Sequence, residues 1–315
     1  MKAVIWIAAV AILILLLLAV GIYFIAYGAF TVRKRREFSP EVVKNYWKKG
    51  DKDMGAMSVA AAERIVKETY NDVYITSFDG LKLHAYEFPY GGSGARTVVL
   101  CHGYKSCPLL DFSLVFEMYK DMKYNILLID QRAHGLSEGK YICFGVKECR
   151  DAVAWCDYAS KRFGGEIVLE GLSMGASTVM FASSLDGLPE SVVRIIADCG
   201  FCSPYEQIAY VAGHNYHMPV RLVMPLVSFC CQHIFGFDLR DMDAEKSLSK
   251  CKIPVLFLHG EDDGFVPVEN VRKAYSACSS AKRLITVKGA GHGMSYMVDM
   301  ERCQRELIVF LRDPV

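Results

Sequence analysis

The hydrophobic pattern divides the chain into three parts. From Ala3 to Val32 no residue is charged, and Ala9 to Ala19 is wholly aliphatic. At 1.5 Å rise per residue a helix here is long enough to cross a bilayer core of about 30 Å. A cleaved signal peptide would have an apolar region of only about 7–15 residues and then a small-residue cleavage site. Here aromatic residues and then Arg33-Lys34-Arg35-Arg36 follow instead. Length and all-round apolarity also favour a membrane span over a buried core helix. Residues 1–32 are therefore read as an uncleaved transmembrane anchor. Residues 33–72 are mixed in character, with Ala61, Ile65 and Val66 at helical spacing, and read as a juxtamembrane connector.

From 73 to 315 the pattern alternates. Short β-rich runs occur at Asp72–Thr76, Lys82–Phe88, Thr97–Cys101, Asn125–Ile129, Glu166–Leu169, Val192–Ala197, Pro254–Leu258 and Arg283–Val287. The Asp79-Gly80 pair between the first two signals an antiparallel hairpin. Most of the others are separated by helix-length segments, such as Val146 to Phe163 with its stripe of Val146, Cys149, Val153, Cys156 and Ala159. Strands alternating with such helices predict a mostly parallel eight-stranded sheet with helices on both faces. The interval from about 203 to 250 is far longer than the usual 2–6-residue connection. Its apolar content predicts a helical lid over the sheet, with additional core helices as the plainer alternative.

Composition narrows the function. Lys+Arg number 36 and Asp+Glu 35, so no net field draws the chain to nucleic acid, and a small or amphiphilic substrate is expected. Before the apolar span lies only Lys2, and after it come four consecutive cations, which predicts a single-pass protein with its catalytic domain in the cytoplasm. Twelve scattered cysteines suit a reducing compartment better than a disulfide framework.

Chemistry concentrates at Gly171-Leu172-Ser173-Met174-Gly175, which follows an apolar run and precedes the helical stretch Ala176 to Leu185. A serine lifted clear on a sharp strand-to-helix turn needs small residues two before and two after it, and both are Gly. Such a nucleophile needs a base held by a carboxylate. His292, in the flexible run Gly289 to Gly293, is the only one of the eight histidines beyond the last strand run, and the acid lies within His259 to Pro267, at Asp262 or Asp263. The resulting order Ser, Asp, His, with each residue after a strand, places all three where open α/β sheets hold ligands. The amide of Met174, next after the nucleophile, is one expected oxyanion donor, and the loop after Thr97–Cys101 supplies the second. Other candidates are weaker. His214 and His217 lack the clustered partners of a metal site, Cys199 and Cys202 lack the second pair of a zinc site, and neither a metal nor a cofactor is expected.

Cys101-His102-Gly103-Tyr104, Asp130 to Ser137 with its D-x-R-x-H-G-x-S form, the turn at Ser173, the acid run and Gly291-His292-Gly293 together resemble the α/β-hydrolase superfamily over about residues 73–312. The chain looks most like its bacterial lipase/esterase-type members, a group similar to monoacylglycerol lipases and the serine aminopeptidase clan. The resemblance implies the α/β-hydrolase fold, Asp263 rather than Asp262 as the acid, the Tyr104 amide as second oxyanion donor, and structural roles for His102, Asp130 and His134. The expected function is a membrane-anchored serine hydrolase of carboxylic esters with apolar, lipid-like acyl groups. A peptidase, a thioesterase, an acyltransferase or a catalytically silent binding protein on the same scaffold stays open, as does the oligomeric state.

Overall fold

Eight strands form one sheet whose inner strands are buried on both faces, while the edge strand at Asn71–Thr76 is largely exposed. In the computed structural model, which describes residues 1–32, 35–48 and 52–312, they are β1 (Asn71–Thr76), β2 (Lys82–Phe88), β3 (Thr97–Cys101), β4 (Asn125–Asp130), β5 (Ile167–Leu172), β6 (Val192–Asp198), β7 (Val255–Gly260) and β8 (Lys282–Val287). Their order is β1-β2-β4-β3-β5-β6-β7-β8, with β2 antiparallel to both of its neighbours and every other pairing parallel. Side chains alternate across the sheet. Val99, Cys101, Leu127 and Ile129 enter one core, and Val98, Leu100, Ile126 and Leu128 the other, which is why β3 and β4 read as unbroken apolar runs.

In chain order the helices are α1 (Lys2–Phe30), α2 (Pro40–Trp47), α3 (Lys52–Ile65), α4 (Pro108–Asp121), α5 (Glu148–Phe163), α6 (Met174–Ala182), α7 (Pro204–Tyr210), α8 (Val220–Cys230), α9 (Ala244–Leu248), α10 (Glu269–Ala277), α11 (Ser295–Val298) and α12 (Met300–Arg312). Helices α5, α6, α8, α9 and α10 cover the first core, and α2, α3, α4 and α12 the second. The segment expected as a connector is thus built into the domain. Val43 of α2 and Ala62 and Ile65 of α3 are buried with α4, and Ser39 caps α2 by accepting a hydrogen bond from the Glu41 amide at 3.2 Å.

The long interval between β6 and β7 forms α7, α8 and α9, with π-helical turns at Val211–Asn215 and Cys231–Phe235 and Pro225 inside α8. Residues of α7 and α8 line a cavity that also includes Ser173, and α9 packs against α6 in the first core. All twelve cysteines are free and buried.

The backbone of α1 is one continuous 29-residue helix. The side chains of Ala3, Ala11, Ile14, Leu15 and Leu18 lie outside those described, and among the described residues no helix is long and apolar enough to cross a membrane. The two ends of α1 differ. Val4, Trp6, Leu13 and Leu17 are largely exposed, whereas Ala26 and Phe30 are buried in the first core.

Candidate active site

Ser173 sits between β5 and α6 with φ +57° and ψ −116°, a conformation that L-residues rarely adopt and that turns the chain sharply from strand to helix. Glycines permit the turn. A Cβ on Gly171 would lie 2.1 Å from the Gly175 carbonyl oxygen, and one on Gly175 would lie 1.8 Å from that of Cys101. Both are steric collisions, so the two flanking glycines are required by backbone contact.

The residues singled out from the sequence meet at this turn. His292 Nε2 is 2.8 Å from Ser173 Oγ, and His292 Nδ1 is 2.7 Å from Asp263 Oδ2. A carboxylate beside Nδ1 assigns the proton to that nitrogen and leaves Nε2 to accept from the serine hydroxyl. Asp263 Oδ1 accepts from the amides of Phe265 and Val266 at 2.9 and 2.8 Å. Burial alone would push this carboxyl up, but His259, His292 and those amides hold it below the usual carboxylate range. Asp262 is exposed, and the Asp263 carboxylate is the one that faces the imidazole.

The loop after β3 lies directly against Ser173, since a Cβ on Gly103 would be 3.3 Å from that of Ser173. Among the described residues neither the Tyr104 nor the Met174 amide has a protein acceptor, so both remain available as donors. His102 and His134 brace this loop. His102 Nδ1 donates to Gly103 O and its Nε2 accepts from the Gln131 amide, while His134 Nε2 accepts from the Lys105 amide. Burial holds both imidazoles below their ordinary value, His134 to about 4, which keeps them neutral. Asp130 accepts from His84 and from the Leu136 amide.

Asp111 escaped the sequence reading. Its carboxylate accepts from the Gly103 amide at 2.6 Å and from Ser106 Oγ at 2.5 Å, fixing the same loop. Burial raises it to about 6 against those hydrogen bonds. An acid inside α4 has no spacing that marks it. The ligand-type atoms of Cys199, Asp263 and His292 lie within 4.8 Å of one another. Asp263 and His292 are already hydrogen-bonded to each other, and burial pushes the Cys199 thiol well up, so the grouping fits the hydrogen-bonded chain better than a metal.

Two cavities meet at Ser173. One, of about 600 Å3, is lined by apolar side chains of α1, α7 and α8 and by Phe144, Phe201 and Phe265. The other, of about 140 Å3, is lined by Arg36, Asp111, Glu170, Asp198, Tyr296 and His292 among others. Burial pushes the Glu170 carboxyl up to about 7 despite a hydrogen bond from Tyr119, and burial together with the nearby charge of Glu170 raises Asp198.

Comparison with known proteins agrees with this architecture. Residues 228–314 match the family described as TAP-like protein. The chain is 28% identical over 218 residues to the uncharacterized protein YqkD of Bacillus subtilis, covering 69% of this chain and 71% of that one. It is 25% identical over 179 residues to the lysophosphatidylserine lipase ABHD12 of Danio rerio, covering 54% and 44%. Among solved structures, the Pyrococcus furiosus esterase Pf2001 is similar with a TM-score of 0.63 at 26% identity, over 79% of this chain and 94% of that one. Strand order, the turn at Ser173 and these likenesses together make the chain a member of the α/β-hydrolase superfamily.

Proposed function

We propose that the protein is a membrane-anchored serine hydrolase that cleaves carboxylic esters of apolar, lipid-derived acids. The observation that carries the reading is the hydrogen-bonded chain Asp263–His292–Ser173 ending in an apolar cavity of about 600 Å3. Ser173 Oγ attacks the ester carbonyl as His292 Nε2 takes its proton, and the Met174 and Tyr104 amides donate to the oxyanion. Collapse breaks the bond to the alcohol, which leaves with the proton from His292. Water then gives a proton to His292, attacks the acyl-serine and releases the acid, and the proton returns to Ser173. Asp263 orients the imidazole and balances its transient charge. The acyl chain occupies the larger, apolar cavity and the alcohol the smaller, more polar one. The lipase named among the relatives supports a lipid substrate.

Membrane anchoring through α1 belongs to the same proposal. The helix is about 43 Å long at 1.5 Å per residue, against a bilayer core of about 30 Å. Its outward side chains are apolar, and the positions outside the described side chains are Ala, Ile and Leu in the sequence. The cationic flank after the span supports a cytoplasmic domain, although Arg35 and Arg36 also serve the fold by donating to Ser137 O and Lys105 O at 2.5 and 2.9 Å. A carboxy-terminal reporter that works only in the cytoplasm is expected to be active. Activity only from a reporter that requires export overturns the orientation.

The full-length protein in detergent or nanodiscs, treated with a fluorophosphonate, is expected to be labelled at Ser173 and to hydrolyse nitrophenyl esters faster as the acyl chain lengthens. Folded protein that stays unlabelled, or one with a preference confined to acetate, overturns the reading.

A further inference from the structure

Building on that reading, we infer that the last third of α1, Ile22 to Phe30, is a wall of the acyl-binding site, so that the membrane tether also sets which chains reach Ser173. Three sets of contacts support the inference. First, the apolar cavity is lined both by Ile22, Ala26 and Phe30 of α1 and by Val223, Met224 and Val227 of α8. Second, the end of α1 is fixed in the domain. Phe30 is 1% exposed, and its ring centroid lies 5.2, 5.4 and 5.7 Å from those of Phe144, Phe235 and Phe237.

Third, the four C-terminal carbonyls that a helix leaves without intrahelical partners are all satisfied here. The Thr31 hydroxyl donates to Tyr27 O at 2.6 Å, Lys105 Nζ to Gly28 O at 2.6 Å, Tyr104 Oη to Ala29 O at 2.6 Å and the Ile142 amide to Phe30 O at 2.8 Å. Three of the four donors belong to the catalytic domain. Two of those come from Tyr104 and Lys105, in the loop that lies against Ser173, so the position of α1 and the shape of the site are coupled.

The rim of the cavity shows where a ligand enters. Ile25 and Tyr216 line it while 56% and 71% exposed, so the mouth lies beside α1 at the foot of its outward apolar stretch. On α8, which packs against α1, Leu222 and Phe229 are also largely exposed. The occupant is the acyl chain of an ester resident in the bilayer that α1 enters, passing between α1 and α8 with its carbonyl directed to Ser173.

A long-chain alkyl fluorophosphonate carrying a diazirine near its terminus tests this on the full-length protein in nanodiscs. After attachment to Ser173 and irradiation, cross-links are expected within Ile22–Phe30 and on α8. Attachment at Ser173 with cross-links only elsewhere overturns the inference and leaves the hydrolase reading standing. Failure to attach to folded protein overturns both. As a second measure, Ala26→Phe is expected to lower the ratio of dodecanoate to acetate hydrolysis at least about tenfold, while Leu13→Phe, the same kind of change outside the cavity, keeps the wild-type ratio. An unchanged ratio in active Ala26→Phe protein also overturns it.

Discussion

The two cavities that meet at Ser173 differ in size, lining and origin. The apolar one holds about 600 Å3 and is assembled from segments far apart in the chain: the end of α1, helices α7 and α8, Phe144 and Phe265. The smaller, more polar one holds about 140 Å3 and is lined by half-buried Asp111 and by the buried carboxyls of Glu170 and Asp198 as well as by apolar side chains such as Trp47 and Leu114, with one Asp198 oxygen lacking any hydrogen-bond partner among the described residues. The same hydroxyl therefore faces two environments of different polarity, and an ester is the kind of molecule whose two halves differ in that way. Long-range packing makes the first chamber, whereas the second is held by hydrogen bonds close to the sheet edge.

Removing the shared point has the largest expected effect. Ser173→Ala is predicted to lower ester turnover at least about 10³-fold while leaving the thermal midpoint close to wild type. Retained turnover in the purified variant would move the chemistry away from the meeting point of the chambers. Next comes the apolar wall. Phe30→Ala is predicted to cost about 3–5 kcal/mol in denaturant or thermal unfolding, because it empties a ring-lined site, whereas Leu13→Ala stays within about 0.5 kcal/mol. Equal effects would erase the distinction between the two ends of α1.

The smallest effect tests the polar chamber through pH. With its carboxyl raised from 4.5 to about 7, Glu170 keeps its proton in the native state where the unfolded chain has lost it. Native protein then binds more protons across that window, so stability falls as pH rises from about 4.5 to about 7, with a slope of at most about 1.4 kcal/mol per pH unit. Glu170→Gln, fixed in a neutral form, is predicted to flatten this part of the profile of unfolding midpoint against pH. A profile that keeps its slope assigns the effect elsewhere, with Asp111 the next group to test.

Much of the site was legible because its chemistry is local. The glycines beside Ser173, the run ending at Asp263 and the loop holding His292 each carry a short pattern, and the strands ahead of them are continuous apolar runs. What escaped depends on tertiary contact. Ala26 and Phe30 sit in a helix that is apolar all round, so nothing in their spacing tells them from Leu13 or Leu17, and only the domain gives α1 an inner face. Asp111, Glu170 and Asp198 are single acids whose significance comes from the cavity that the fold brings them to line together. The stretch from 33 to 72 reads as a connector because described charged positions such as Glu41, Lys44 and Lys48 are outward, while a few residues such as Val43 and Ile65 attach it to the second core.

The satisfied carbonyls at the end of α1 also have a mechanical meaning. A tether joined through a loose linker is a leash, about which a domain swings freely. One whose final turn is bonded to the loop beside Ser173, as that of α1 is, would be a mast. With α1 in a bilayer, the height and attitude of the cavity mouth above the lipid follow the tilt of that mast, and tilt responds to the match between helix length and membrane thickness. Turnover on membrane-resident esters is then expected to vary with bilayer thickness, while turnover on soluble esters is not.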